Sequence, residues 1–248
     1  MSTDSAMSRR GFVKLCTSAI ALVSASPNLL AQPDAAPRRY PRARLVDAHN
    51  QPITAERLDT GESYLFHYPY VSTPCFLINL GRPAAAGAPL STEDGRAYRW
   101  EGGVGPQRSI VAFSAICAHK MSHPARAVSF INYRHQAVTF KDGGQRVTQR
   151  PQVIYCCSER SVYDPADGAR VLGGPARQPL AAILLEEDRR DGSLHATGAY
   201  GGELFERFFR EFGFRLALDL RIADVRAPVS ATTTVVPLTE FCQNQVLC

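Results

Sequence analysis

Cys117-Ala118-His119 and Cys156-Cys157-Ser158-Glu159-Arg160-Ser161-Val162-Tyr163-Asp164 are the two stretches whose reading decides this chain. The first is a C-x-H at the end of an apolar run, Ser109 to Ile116. On an extended turn its two side chains, two positions apart, point the same way. The second is entered by Val153-Ile154-Tyr155 and continues as Asp164-Pro165-Ala166-Asp167-Gly168 to Gly173-Gly174-Pro175-Ala176-Arg177-Gln178-Pro179-Leu180. Thiolate and imidazole are both good ligands for iron, and a buried metal group has to be gripped from two facing loops.

Taken in order, these segments resemble the two cluster-binding loops of the Rieske iron–sulfur family. The match covers roughly residues 44–198 and is most specific at 116–119 and 155–180. The resemblance implies an exported or membrane-associated electron carrier with a [2Fe-2S] cluster, each loop giving one Cys and one His. Cys117 and His119 fill the first loop. In the second, Cys156 or Cys157 takes the thiolate position, and no His is present. Without a gap, Glu159 falls where the family has His; with a one-residue deletion, Arg160 does. Arginine has no lone pair to give, whereas a carboxylate can bind iron. His123 is a further candidate for the fourth ligand. Ser161 and Tyr163 match the family's S-x-Y, whose hydroxyls donate to cluster sulfurs and raise the potential. The disulfide that joins the loops in high-potential members is replaced by Ser122 and Ser158. A zinc site on Cys117, His119 and Cys156 or Cys157 is the fallback for a three-ligand remnant.

Short runs with strand character dominate from Leu45 onward, separated by Gly-bearing turns. The expected fold is all-β: a Rieske-like antiparallel sandwich with an inserted hairpin and one C-terminal amphipathic helix. The insertion lies in the roughly 36 residues between His119 and Cys156, around Asp142-Gly143-Gly144, with His135 read as exposed. The helix is expected over 203–212, where Leu204, Phe205, Phe208, Phe209 and Phe212 share one face and Gly213 offers a stop. That face is read as docking on the β-core. The expected organisation is a signal segment at 1–31, a Pro- and Arg-rich linker at 32–43, a domain at 44–225, and a tail at 226–248 that runs as an edge strand.

Ser8-Arg9-Arg10-Gly11-Phe12-Val13-Lys14, followed by a modest apolar run, resembles a twin-arginine export signal. It predicts a periplasmic protein that crosses the membrane already folded, with membrane association through this segment as the other possibility. The formal net charge is +5, part of it carried by Arg9, Arg10 and Lys14, and no basic helix follows, which argues against nucleic acid. Of seven cysteines, Cys75 sits in an apolar run and reads as a buried small hydrophobe; Cys242 and Cys248 are placed to form a small disulfide loop. Motifs for hydrolases, nucleotide binding and HExxH metalloproteases are absent. The expected function is one-electron transfer as a subunit or partner of a respiratory redox complex, the partner being a cytochrome or a quinol-oxidising complex. The alternative is a cluster-free binding module of the same fold.

Overall fold

Short apolar segments bounded by turns fold as strands, and here they pair into two main sheets. The structure, a computed structural model, describes residues 35–248; the expected signal at 1–31, Cys16 and the first residues of the expected linker lie outside the described residues. The strands are β1 (Arg38–Val46), β2 (Ser63–His67), β3 (Pro74–Asn79), β4 (Ala88–Ser91), β5 (Ala97–Trp100), β6 (Ile110–Ser114), β7 (Ile131–Arg134), β8 (Val138–Lys141), β9 (Val147–Arg150), β10 (Val153–Cys156), β11 (Ser161–Asp164), β12 (Arg170–Gly173), β13 (Ala182–Glu187), β14 (Leu194–Tyr200), β15 (Ala231–Thr234) and β16 (Val236–Pro237). The large sheet has the order β15-β1-β14-β13-β6-β3-β2-β16, and the smaller one β12-β11-β10-β7. All pairings within these two sheets are antiparallel except β1 with β15. The fold is all-β, as expected.

Residues 138–150 form the expected inserted hairpin, β8 with β9. Its purpose is visible in the burial pattern of β10. Val153 and Tyr155 point to one face and pack with Val138, Phe140 and Val162, whereas Ile154 and Cys156 point to the other and join the main core with Tyr163. The hairpin therefore covers the outer face of the small sheet, which would otherwise expose apolar side chains to water. His135, read as exposed, is half-buried, and its ring lies over Gly61.

The helix, α1, is longer than expected: Glu203–Leu220. Gly213 does not end it. A mid-helix glycine costs about 1 kcal/mol relative to alanine, and burial of Leu216 beyond it offsets that cost. The stop is Arg221, in the left-handed conformation, with its N–H on the carbonyls of Ala217 and Leu218. The aromatic face does dock on the core: Phe205 and Phe208 are fully buried.

The stretch read as linker also needs correcting. Strand β1 starts at Arg38, inside it, and pairs with β14. Proline breaks a ladder, but Pro41 falls in the register shift between Arg39 and Ala43, where a missing N–H is tolerated. The tail does supply an edge strand, β15, beside β1.

Gly173-Gly174 joins the small sheet to the rest at two close approaches. A Cβ on Gly173 would meet the Lys141 carbonyl oxygen at 2.1 Å, and one on Gly174 (φ +85°) the Arg160 carbonyl oxygen at 2.3 Å. Gly174→Ala is expected to lower stability by about 1–3 kcal/mol through backbone strain, read as a lower midpoint in urea unfolding.

His67 gives a pH dependence. Burial, with a smaller contribution from Arg126, holds its imidazole down to about 4. The unfolded chain thus binds a proton that the folded chain refuses between about pH 6.5 and 4, so this histidine's contribution is intact above the window and is lost as pH falls through it. Stability should drop by at most about 1.4 kcal/mol per pH unit there. Urea unfolding of the parent and of His67→Gln at about pH 7 and about pH 5 should show a smaller acid loss in the variant.

Candidate metal centre

Strand β6 of the large sheet delivers the first loop and the β10–β11 hairpin of the small sheet delivers the second, so the two loops meet where the sheets face each other. The first loop is a tight turn: Cys117 N–H donates to the Ser122 carbonyl (2.9 Å) and Met121 N–H to the Cys117 carbonyl (3.0 Å), with Met121 at φ 59°. The second closes with Glu159 N–H on the Cys156 carbonyl (3.3 Å) and Arg160 at φ 58°, beneath Gly174.

Strand alternation separates the two adjacent cysteines. Cys156, paired across the hairpin with Ser161, points inward and is fully buried. Cys157 points the other way and forms a disulfide with Cys248. Its sulfur is committed to that bond, which removes it as a thiolate ligand. The expected Cys242–Cys248 loop is likewise not formed: Cys242 is free and buried, its thiol on the Asn244 carbonyl (3.0 Å). The tail instead runs beside residues 126–134, with Val246 N–H on the Ser129 carbonyl (2.8 Å) and the Asn132 side chain on the Val246 carbonyl (2.9 Å), and this path carries Cys248 away from Cys242 to the second loop. Cys75, as expected, is a buried free cysteine outside this region.

Cys117 and Cys156 meet directly, thiol to thiol. Tyr163, fully buried, accepts from Ala118 N–H (3.1 Å) and so has its own proton to give to Cys117 Sγ (3.3 Å). The hydrogen bond from Cys156 draws the Cys117 thiol down to about 6 against opposing burial, and Tyr163 adds to the effect. Cys156 is pushed up by the same shared proton and by burial.

A second pair lies beside the first. His119 Nδ1 is turned inward, 3.3 Å from Glu159 Oε2, without hydrogen-bond alignment. Their side chains are 34% and 16% exposed, so this pair sits at the rim and the cysteines lie beneath it. Lys120 Nζ is 3.6 Å from Glu159 Oε1. Ser161 Oγ is buried with no partner. Among the described residues no three His, Cys, Asp or Glu side chains stand at mutual metal-binding spacing. Cys117 with Cys156 and His119 with Glu159 form two separate pairs.

The other sequence candidates are elsewhere. His123 is pinned by its Nδ1 to the Met121 carbonyl (2.9 Å) and packs edge-on against Phe208 and Phe212 of α1. Arg160 is exposed. One functional contact escaped the sequence reading. Arg207 of α1 donates to the carbonyls of Ala118 and His119 (3.0 Å for the latter) and pairs with Glu93 (2.9 Å), which fixes the backbone of the first loop from outside. An arginine on the polar flank of an amphipathic helix gives no sequence signal for that role. Asp164, after Tyr163, is structural: it accepts from Ala166 N–H (3.0 Å) and pairs with Arg150.

No family model matches the chain. A curated protein named iodate reductase subunit IdrB, from Denitromonas iodatirespirans, is 28% identical over 195 residues, 79% of this chain and 82% of that protein. The soluble domain of Rieske protein II from Sulfolobus acidocaldarius aligns with a TM-score of 0.42 and 23% identity, over 64% of this chain and 78% of the other.

The Cys157–Cys248 bond closes a span of 91 residues. Loop-closure entropy gives it about 4.6 kcal/mol of stabilisation. Cys248→Ser should unfold at correspondingly lower urea concentration, and reductant should destabilise the parent but not the variant.

Proposed function

We propose that this Rieske-type protein is a one-electron carrier built around a [2Fe-2S] cluster, working in the periplasm as the electron-transfer subunit of a larger redox complex. The observation that carries the reading is the convergence of Cys117 and Cys156, from two loops on two sheets, beneath the Tyr163 hydroxyl. Ser161 Oγ, buried and unpartnered, and His119 Nδ1, turned inward without an aligned partner, are donor atoms left for a group between the loops. The residues present therefore fit the cluster: two thiolates for one iron, His119 on the other, and hydroxyls for the sulfurs.

When bound, such a cluster takes up and releases single electrons. The chain's own residues set the conditions. Full burial of both cysteines excludes water and lowers the local dielectric, which strengthens every hydrogen bond made to sulfur. Tyr163, whose hydroxyl lies 3.3 Å from Cys117 Sγ, and Ser161, buried without a partner, would donate to the group and so favour its more negative, reduced state. His119, one-third exposed, is the edge nearest solvent and so the side on which a redox partner docks. Arg207 and the Cys157–Cys248 bond hold the two loops from outside, limiting the movement that electron transfer would otherwise have to drive.

Location and partner are supported by separate observations. The segment Ser8–Lys14 resembles a signal for export of folded proteins, and a disulfide persists in an oxidising compartment. The similar IdrB protein is named as a reductase subunit, which supports assembly with a larger redox partner. A cytochrome or a quinol-oxidising complex is the class of electron donor or acceptor proposed. No helix among the described residues is long and apolar enough to cross a membrane.

Chemical analysis of anaerobically purified full-length protein tests the reading. About two iron and two acid-labile sulfide per chain are expected, and Tyr163→Phe should keep both while lowering the midpoint potential in a dye-mediated titration. Protein without iron or sulfide would leave the cluster-free binding module, a reading favoured by the absence of a histidine in the second loop and of cysteines at Ser122 and Ser158.

A further inference from the structure

We infer that Glu159 is the fourth protein ligand of the cluster, giving a set of two cysteines, one histidine and one glutamate in which a carboxylate stands where a second imidazole would. The inference rests on the electron-carrier reading above and assigns its rim iron.

Three observations carry it. The first is placement. The β10–β11 hairpin, registered by Cys156 against Ser161, turns its tip back over the first loop and brings Glu159 Oε2 to 3.3 Å from His119 Nδ1. The carboxylate is largely covered, at 16% exposure, although it sits on a loop tip. An acidic side chain is costly to cover unless something at the site holds its charge, and Lys120, itself 66% exposed, is a weak neighbour at 3.6 Å. The second is the pairing of donors. Each iron of a two-iron cluster takes two protein ligands, and the remaining positions are filled by bridging sulfides. The site offers one pair of thiols at depth and one imidazole–carboxylate pair at the rim. Two pairs match two metal ions. The third is elimination within the structure. Cys157 is in a disulfide, His123 is packed on α1, and Arg160 is exposed and carries no lone pair.

Carboxylate oxygen is a harder, anionic donor than imidazole and still binds iron. It stabilises the oxidised state, so the potential should lie below that of the same site with two imidazoles.

Pulsed electron paramagnetic resonance on the reduced, full-length protein counts the nitrogens bound to iron. One strongly coupled nitrogen is expected, from His119. Glu159→His should add a second coupled nitrogen and shift the midpoint potential upward, and Glu159→Gln should lose most of the bound iron and sulfide. Two coupled nitrogens in the parent, or none, would overturn the assignment of Glu159 while leaving an electron carrier in place. So would a Glu159→Gln protein with the parent's spectrum and iron content. Parent protein free of iron and sulfide would overturn the electron-carrier reading itself, and this assignment with it.

Discussion

One residue of strand alternation governs the site. On β10 the side chains of Ile154 and Cys156 enter the main core, and those of Val153, Tyr155 and then Cys157 face the other way. A strand cannot turn two neighbouring side chains to the same face. Cys156 therefore meets Cys117 and Tyr163 in the interior, and Cys157 is free to bond the C-terminus. Sliding the hairpin by one residue would expose Cys156 and bury Cys157, and would pull Tyr163 off the Cys117 sulfur. Burial of Ile154 on one side and of Val153 and Tyr155 on the other forbids that slip.

The peripheral elements act on this arrangement from outside. The β8–β9 hairpin covers the outer face of the small sheet and presses the Lys141 carbonyl against Gly173. Gly174 lets the following chain cross directly over the second loop. Helix α1 buries its aromatic stripe and, from its polar flank, sends Arg207 to the first loop's carbonyls. The tail lies along residues 126–134 and ends in the bond to Cys157. Each loop thus has its own external brace.

Much of this was legible beforehand. Short apolar runs marked β2, β3, β6, β7, β8, β10, β13 and β14, the Gly-bearing turn at 142–144 marked the inserted hairpin, and the 3.6-residue stripe marked α1 and its buried face. The misreadings share a cause. The stretch 32–43 has the composition of a linker, yet from Arg38 it is a strand because β14 offers an open edge. Gly213 has the propensity of a stop, yet the helix runs on because Leu216 still finds the core. In both places a tertiary partner outweighed a local preference, which for the mid-helix glycine is about 1 kcal/mol.

For the site, the sequence by itself marked two loops and, through their resemblance to a family motif, the candidate side chains in them: Cys117 and His119 in the first, and Cys156 or Cys157, Ser161 and Tyr163 in the second. It left open which of Cys156 and Cys157 faces inward, what stands opposite His119, and where Cys248 pairs. Those answers depend on contacts between segments up to 91 residues apart. Local periodicity says that neighbouring side chains diverge. Only the packing of one sheet on another says which of the two directions is the interior.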